Sequence, residues 1–302
     1  MSLSKNNIHK SKSIFGTARL GIQEYGYPKK KRLSNRGSVI EEIIDMGTDA
    51  LDTAPSYGDA EEIIGQVLKN SKNPIAVKTK VSGLKVGDHD SSDKIYNSVL
   101  QSIDKLGVDS LETVYLHQNS LEIISDPWIH EGLYRIYEEK LTSHIGASLY
   151  YLEEVDYALE SPIFDTIQVP CNLCDRLVFD RCISTENILI DCRSVLLQGL
   201  LANPQYADSV IKDPSAFKRD LLGLEKLSNS LGLSLSQMAY AYVGNLSGCN
   251  GILIGSTNIS NFKLAMDSLR VNLPDDIMEK INSIARLSKN YSNPKLWDPK
   301  ND

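Results

Sequence analysis

DALDTAPSYGDAEEIIGQVLK (49–69) places a short buried strand, a polar turn and an amphipathic helix one after another. DALDTA (49–54) is a short, mostly apolar run, as in strands that are buried on both faces of a parallel sheet. Asp59 is placed to cap the helix that follows, with Glu62 three residues later. Apolar residues at helical spacing over 63–68 then give this helix one buried stripe. The segment therefore predicts one strand–helix unit.

The same alternation of strand and helix recurs along the 302 residues. The predicted strands are 13–21, 49–54, 75–81, 113–118, 144–150, 166–173, 188–197 and 251–257. Strands that alternate with helices pair in parallel through right-handed crossovers, which predicts the α/β class. An open doubly wound sheet and a closed (β/α)8 TIM barrel both satisfy this pattern. The number of units favours the TIM barrel, and the chain has neither G-x-G-x-x-G nor a Walker A loop.

Helix start and stop signals lie between these strands. Ser38 and Glu41 have the spacing of a capping box, and Gly47 is placed to end that helix. Asp126 precedes Pro127, a cap followed by proline at the first helical position. A last helix is predicted to open at 273–275. These signals give the expected helix boundaries.

Composition excludes several classes of protein. Lys and Arg number 32 and Asp and Glu number 39, a net charge of −7, so the chain is poorly suited to neutralising nucleic-acid phosphates. No apolar run approaches the ~20 residues that span a bilayer. The polar, basic N-terminus has no apolar core of a secretory signal, and the five cysteines are an odd number. We therefore expect a cytoplasmic protein with reduced thiols, no nucleic-acid partner and no membrane partner; the oligomeric state stays open.

Polar residues at the carboxyl ends of the strands carry the chemistry, because reactive groups of a barrel collect at that face. They are Asp52, Tyr57, Lys78, Lys80 and His117. A buried ammonium is expected to lower the pKa of a neighbouring phenol, and a carboxylate paired with the lysine would hold it in place. Such a tyrosine can protonate a carbonyl oxygen while hydride reaches the carbon, with the histidine orienting the carbonyl.

LDTAPSYGDAEEIIG (51–65) resembles the signature of the aldo-keto reductase family, with Asp-Thr-Ala, Tyr-Gly and then Glu and Gly on the following helix. The resemblance continues, in the order of the family, through VKTKV (77–81), VYLHQ (114–118), IGASLYYLEEV (145–155), IQVPCNLCD (167–175), CRSVLLQGLL (192–201) and GILIGSTNIS (251–260). It implies one barrel domain over 1–302, with a core of about 14–290 and a C-terminal tail of 291–302. It also implies an extended nicotinamide cofactor bound without a Rossmann domain.

By this resemblance the catalytic tetrad is Asp52, Tyr57, Lys80 and His117. Lys80 is preferred to Lys78 because the family places its lysine after Ser or Thr. Lys78 lies two residues earlier on the same face of the strand, so it would be a second positive charge inside the barrel. The family pattern does not require that charge.

The resemblance also implies the cofactor contacts. The nicotinamide ribose would contact Gly16, Thr17 and Ala18, the carboxamide would contact Ser148 and Gln168, and the nicotinamide ring would contact Arg193. The pyrophosphate would contact Ser194, Leu196, Gln198 and Gly199. The phosphate at the start of the last repeat's helix would contact Gly255, Ser256, Thr257 and Asn261. Arg193 replaces a stacking aromatic ring, and its planar guanidinium can stack as well.

The chain departs from the family at the cofactor site. Leu149 replaces the Asn that usually follows the Ser of strand 5, which removes one carboxamide contact. Gly255 and Asn261 stand where the family usually has Lys or Arg against the 2′-phosphate, and Lys263 is the nearby cation. We expect NADP(H), with NAD(H) as the alternative.

Three other features of the sequence bear on its function. Cys171-x-x-Cys174 lacks a matching His or second pair, so no metal site is expected. The basic run 29–32 is interpreted as a solvated loop, with anion binding at the active-site face as an alternative. Tyr291 and Trp297 in the tail are candidates for the substrate pocket.

Three functions follow from these residues. The first is an NAD(P)H-dependent oxidoreductase that reduces a small-molecule aldehyde, ketone or sugar-derived carbonyl, with Tyr57 as the proton donor. The second is a regulatory or sensor subunit that binds the cofactor with little turnover. The third is a Schiff-base aldolase acting through Lys80 or Lys78. The order of the tetrad residues favours the reductase.

Overall fold

The eight strands close into one barrel in sequence order, each paired in parallel with its neighbours. This computed structural model describes residues 11–23, 25–26, 33–118, 120–176, 178–179, 188–284 and 297. The (β/α)8 TIM barrel predicted from the alternation is confirmed, and the open-sheet alternative is wrong.

The strands are short, as expected for a barrel of this kind. They are β1 (Lys12–Gly16), β2 (Ala50–Asp52), β3 (Ala76–Val81), β4 (Leu111–Leu116), β5 (Thr142–Ser148), β6 (Thr166–Pro170), β7 (Leu189–Arg193) and β8 (Cys249–Ile254). The sequence placed the ends of β1 and β7 too late. The chain leaves β1 at Thr17, which turns to bond the Asp52 carbonyl, and leaves β7 at Ser194, whose φ of 59° is not extended.

The helices lie between the strands and around the barrel. They are α1 (Ala18–Gly21), α2 (Arg36–Asp45), α3 (Ala60–Leu68), α4 (Ser91–Leu106), α5 (Leu121–Ile124), α6 (Pro127–Glu138), α7 (Leu152–Glu160), α8 (Ala207–Val210), α9 (Ser215–Ser230), α10 (Leu235–Gly244), α11 (Ile259–Ser268) and α12 (Asp275–Ile284), with 3-10 turns at Leu197–Gly199 and Pro204–Tyr206. Within the described residues, no helix is both long and apolar enough to cross a bilayer.

Strand β3 shows how the two faces of the barrel wall differ. Side chains alternate along a strand, so Val77, Thr79 and Val81 face the helices while Lys78 and Lys80 face the interior. Thr79 donates to Glu61 of α3 at 2.7 Å, which fixes the outward direction. All five side chains are buried, so the two lysines need partners inside the barrel.

Two of the predicted helix caps are wrong. The second helix begins at Arg36 with Asn35 at the cap position, so Ser38 and Glu41 lie inside it rather than forming a capping box. Asp59 does precede α3, but its carboxylate makes no cap. It binds the Arg36 guanidinium instead, at 2.7 and 3.0 Å, because a hydrogen bond to a charged partner is stronger than one to a backbone N–H.

Other boundary signals are confirmed. Asp126 accepts from the backbone N–H groups of Trp128 and Ile129 at the start of α6. Gly47 has a φ of 83° just after the second helix, a left-handed conformation that glycine adopts without strain. At both positions the local signal and the tertiary contacts agree, since Asp126 accepts from Gly87 N–H with its other carboxylate oxygen at 2.6 Å and keeps the first for the cap.

Candidate active site

The carboxyl ends of β2, β3 and β4 bring Asp52, Lys80 and His117 to the mouth of the barrel, with Tyr57 on the turn after β2. The Lys80 Nζ donates to Asp52 Oδ1 at 2.5 Å and to the Thr53 carbonyl at 3.0 Å. Both charged side chains are only 2 % exposed. A buried pair with this geometry holds the ammonium charged and fixed.

Asp52 is held from three sides. Its second carboxylate oxygen accepts from Gln168 Nε2 at 2.8 Å. Its backbone carbonyl accepts from both the N–H (3.0 Å) and the hydroxyl (2.9 Å) of Thr17. Gln168 on β6 therefore fixes the carboxylate that orients Lys80, and Thr17, directly after β1, fixes the backbone of the same residue.

Tyr57 is positioned by its own turn and by α1. Its N–H donates to the Ala54 carbonyl at 2.9 Å. Gly21 packs directly against the Tyr57 backbone, since a Cβ at Gly21 would lie 1.4 Å from the Tyr57 carbonyl oxygen. The Tyr57 ring then lies 5.3 Å from Lys80 Nζ and 5.9 Å from the His117 ring, measured to ring centroids. The four predicted residues are thus neighbours at one mouth.

The pKa of Tyr57 is shifted in the direction opposite to the one expected from the sequence. Burial, followed by the Asp52 carboxylate, raises the pKa of Tyr57 above its usual range. The sequence predicted a lowered pKa from the lysine beside it. Burial wins because the Lys80 charge is largely cancelled at the phenol by its 2.5 Å partner Asp52. Tyr57 is therefore a phenol at neutral pH and is able to donate a proton.

His117 is neutral at neutral pH. Burial, followed by the Lys80 charge, lowers its pKa to about 4. Its Nδ1 lies 3.3 Å from the Ser56 hydroxyl. A neutral imidazole beside a protonated phenol suits hydrogen bonding to one carbonyl oxygen.

Comparison with known proteins identifies the family. The Aldo/keto reductase family matches residues 13–286, which is most of the chain. The chain belongs to the aldo/keto reductase family. Its relatives include D-arabinose 1-dehydrogenase of Saccharomyces cerevisiae, 24 % identical over 281 residues and covering 85 % of this chain and 82 % of that one. L-galactose dehydrogenase of Arabidopsis thaliana is 22 % identical over 279 residues, covering 85 % and 86 % of the two chains.

Solved structures support the same fold. The aldo-keto reductase AKR11C1 from Bacillus halodurans, in its holo form, superposes with a TM-score of 0.73 at 18 % identity, over 97 % of this chain and 99 % of that one. At this identity the likeness shows the barrel fold alone. Family membership adds that the chain is an oxidoreductase of a family that uses nicotinamide cofactors on carbonyl substrates.

The residues expected at the nicotinamide of this aldo/keto reductase lie around the tetrad. Gly16 pairs with Asp52, and Ala18 begins α1 directly after Thr17. Ser148 and Gln168 pair side by side on β5 and β6, and both are buried. The Thr17 hydroxyl and the Gln168 amide nitrogen are already bonded to Asp52, so these two residues support the tetrad whatever else they contact.

Arg193 lies at the end of β7. Its guanidinium stacks on the Tyr150 ring, 3.9 Å from the centroid, and donates to the Leu149 carbonyl at 3.0 Å. Its Nε is buried without a hydrogen-bond partner. No carboxylate of the described ranges pairs with it, so its positive charge is not cancelled in the way that the charge of Lys80 is.

The segment after β7 has a strained backbone. Ser194, Leu197 and Gln198 have φ values of 59°, 48° and 52°, and Gly199 follows at 103°. In the part of the chain that the structure describes, Lys140 is the one other non-glycine residue with a positive φ. Such strain persists where the surroundings impose it and is typical of ligand-binding loops, so this segment fits the expected pyrophosphate strap.

The segment after β8 leads into the N-terminus of α11. Asn258 caps that helix by accepting from the Asn261 N–H at 2.9 Å, and Ser256 bonds locally to Asn258. Gly255 is exposed and a Cβ there would meet nothing. Lys263 is exposed and pairs with Asp267 at 2.9 Å, so the nearby cation already has a partner.

Two aromatic residues near the tetrad were missed by the sequence interpretation. Tyr25 and Tyr150 both lie within electrostatic range of Tyr57. Tyr150 lies two residues after the end of β5, so its place beside a strand end was a usable signal. Tyr25 lies in the connection after α1, and no motif marks it.

The remaining predicted features lie elsewhere. Cys171 and Cys192 are hydrogen-bonded and buried, and Cys249 Sγ lies 3.5 Å from Cys192 Sγ. Among the described residues no group of three or more His, Cys, Asp or Glu is arranged to hold a metal. The basic run 29–32 and Tyr291 lie outside the described residues. Trp297 is buried against the hydrophobic core.

Proposed function

We propose that this chain is an NAD(P)H-dependent carbonyl reductase in which Tyr57 donates the proton. The observation that carries the proposal is the buried Lys80–Asp52 pair, joined at 2.5 Å, beside a phenol and an imidazole that are both neutral. A bound nicotinamide supplies the hydride to the carbonyl carbon. The protein supplies the proton to the oxygen and excludes water from the Lys80–Asp52 pair.

Each tetrad residue has a separate role in this proposal. The Tyr57 hydroxyl gives its proton to the carbonyl oxygen as negative charge develops there. The phenolate that is left is stabilised by the Arg193 charge, which acts to lower the pKa of Tyr57, and by the part of the Lys80 charge that Asp52 leaves uncancelled, 5.3 Å from the Tyr57 ring centroid. Asp52 holds Lys80, and neutral His117 donates a hydrogen bond that orients the carbonyl. In the reverse direction the same phenolate accepts the proton of an alcohol.

The fit to a nicotinamide cofactor rests on the strained strap and on Arg193. Residues 194–199 hold a backbone conformation that their own sequence does not favour, and the Arg193 Nε is a buried donor without a partner. NADP(H) remains the first expectation. The pairing of Lys263 with Asp267 leaves NAD(H) a strong alternative, because preference for a 2′-phosphate depends on charged contacts.

The names of the relatives suggest which substrate class to test first. The names of two of them, D-arabinose 1-dehydrogenase and L-galactose dehydrogenase, refer to sugars. These names support a sugar-derived carbonyl or its alcohol as the first compounds to test.

The aldolase alternative is disfavoured by the hydrogen bonds of both lysines. A Schiff-base nucleophile has to be a free amine. The Lys80 Nζ donates to Asp52 and to the Thr53 carbonyl, and the Lys78 Nζ donates to Asp191. Borohydride trapping of a carbonyl donor on either lysine would support the aldolase, and we expect no adduct.

The first experiment is a fluorescence titration of the protein with NADPH and with NADH separately. Tight binding of either cofactor is expected, and binding of neither would overturn the proposal. The second is turnover of Tyr57→Phe, with Tyr134→Phe on the exposed face of α6 as the matched control. Tyr57→Phe is expected to bind cofactor normally and to lose at least about 100-fold in kcat.

These variants also test the regulatory-subunit alternative. Wild-type protein that binds cofactor but turns over no aldehyde, ketone or sugar would support that alternative and contradict the reductase. Full activity in Tyr57→Phe would contradict the assignment of Tyr57 as the proton donor.

A further inference from the structure

A second buried set of a lysine, an aspartate and a tyrosine lies inside the barrel close to the tetrad. Asp191 Oδ2 accepts from Lys78 Nζ at 2.5 Å and from the Tyr115 hydroxyl at 2.6 Å. The side chains of Lys78 and Asp191 are 7 % and 2 % exposed, and Tyr115 is fully buried. We call Lys78, Tyr115 and Asp191 the inner cluster; the tetrad roles proposed above use none of them.

Neighbouring strands leave room for the inner cluster by means of two glycines. A Cβ at Gly251 of β8 would lie 2.2 Å from Asp191 Oδ1. A Cβ at Gly146 of β5 would lie 2.5 Å from a ring carbon of Tyr115. Three strands supply the side chains and two more supply the space, so the inner cluster is a built feature of the barrel interior.

The inner cluster touches the tetrad through Lys80. The Lys80 Nζ lies 6.0 Å from the centroid of the Tyr115 ring and 5.3 Å from that of Tyr57, so two aromatic rings lie within range of a cation–π contact with the ammonium. The hydrogen bond to Asp191 fixes the Tyr115 ring. Burial and the Asp191 carboxylate raise the pKa of Tyr115, which keeps it a phenol that donates.

Charge balance gives the second link. Lys78 and Lys80 lie two residues apart on the same face of β3, about 7 Å between their Cα atoms. Without Asp191 the two ammonium groups would repel each other in a low-dielectric interior. The Asp191 carboxylate cancels the charge of Lys78 as Asp52 cancels that of Lys80.

We propose that the inner cluster is a positioning device for the reaction: Tyr115 fixes the place of the Lys80 ammonium, and the Lys78–Asp191 pair keeps the barrel interior neutral beneath the tetrad. In this proposal they act through Lys80, as positioning residues and not as catalytic ones. The inference rests on the proposed function, and it assigns a use to a lysine that the tetrad does not need.

The charge test uses the pKa of His117, read by NMR of its ring carbon–proton pair, and needs no turnover. The charged and titratable groups around His117 are Lys80, Asp52, Arg193 and Tyr57, and all stay unchanged. Lys78→Met leaves the Asp191 carboxylate uncancelled and is expected to raise the pKa of His117 from about 4 by about one unit, the effect of a unit charge roughly 10 Å away at an effective dielectric constant of about 20.

Two further variants give the sign and the control. Asp191→Asn is expected to lower the same pKa, and the double variant Lys78→Met/Asp191→Asn is expected to return it to the wild-type value. Thr79→Val is the matched control, because Thr79 is a buried polar residue of the same strand that faces Glu61 on the outside. Equal pKa values in wild type, both single variants and Thr79→Val would overturn the charge role.

The ring test covers the case in which a single charged variant does not fold. Tyr115→Phe keeps the ring beside Lys80, whereas Tyr115→Leu removes it, and neither changes a charge. Tyr115→Leu is expected to lower kcat about tenfold or more, with an unchanged KM for cofactor, and Tyr115→Phe to restore most of it. Equal kcat in Tyr115→Leu and wild type would overturn the positioning role.

The two readouts separate the failure of this inference from that of the proposed function. Wild-type protein without turnover whose variants still shift the pKa of His117 in opposite directions contradicts the reductase and supports only the charge role of the Lys78–Asp191 pair. Wild-type protein with turnover whose variants leave both the pKa of His117 and kcat unchanged contradicts the inner cluster alone.

Discussion

Gly21→Ala should damage catalysis although Gly21 carries no reacting group. A methyl group at this position would lie 1.4 Å from the Tyr57 carbonyl oxygen and 2.5 Å from its carbonyl carbon. Since Cβ contacts shorter than 3.0 Å essentially do not occur, the two segments have to separate by the difference between 3.0 and 1.4 Å, about 1.6 Å. Gly21 does not have a positive φ, so the effect is one of overlap and not of backbone conformation.

The Tyr57 turn is expected to move, because α1 is anchored. Leu20 is fully buried, and its carbonyl accepts from the Arg36 guanidinium at 3.0 Å. The turn that carries Tyr57 is partly exposed. A displacement of this size takes the hydroxyl away from its place near Lys80 and His117. Misplacement by about 1 Å costs about 100-fold in rate, and overpacking costs about 1–3 kcal/mol of the free energy of unfolding.

The assay is kcat together with urea denaturation, for Gly21→Ala and for Gly37→Ala. Gly37 lies inside α2, where a Cβ would meet only a Val67 methyl at 3.6 Å, so alanine is expected to stabilise that helix by up to about 1 kcal/mol and leave kcat unchanged. Gly21→Ala that is folded and keeps kcat within twofold of wild type would refute the reasoning, because it would show that the position of Tyr57 does not depend on this contact.

Three further outcomes are expected. His117 has a folded-state pKa of about 4, below its ordinary value of 6.5, so the free energy of unfolding falls as the pH falls from 6.5 to 4. His117→Gln lacks this titration, and its free energy of unfolding should therefore fall by up to about 3 kcal/mol less than that of wild type over the same range, measured by urea denaturation. Thr79→Val removes the donor to the buried Glu61 carboxylate, and should lower the free energy of unfolding by about 1–3 kcal/mol with kcat unchanged, measured by urea denaturation and steady-state kinetics. Asn261→Arg adds a cation to the first turn of α11 without removing the backbone cap, and should improve the Kd for NADPH about tenfold relative to that for NADH; an unchanged ratio in the fluorescence titration would place the phosphate elsewhere.

The sequence by itself determined the barrel and the identity of the tetrad residues as neighbours. Eight apolar runs that alternate with helical segments leave few topologies, since crossovers between parallel strands are right-handed and short. Asp52, Lys80 and His117 then had to meet, because the carboxyl ends of all strands in a barrel lie at one face. The cap at Asp126 was equally readable, because an acidic residue before proline is a local signal and no distant cation takes its carboxylate among the described residues.

Tertiary structure decided what depends on distant partners. Asp59 stands at the start of α3, but its side chain does not cap the helix because Arg36, 23 positions away in the chain, offers a charged partner. The pKa of Tyr57 rises because burial outweighs a lysine whose charge Asp52 cancels. The pairing of Lys78 with Asp191 joins β3 to β7 across the barrel, and no local sequence pattern predicts such a contact. Local signals fix which residues form elements, whereas burial and charge pairing arise only when the barrel closes.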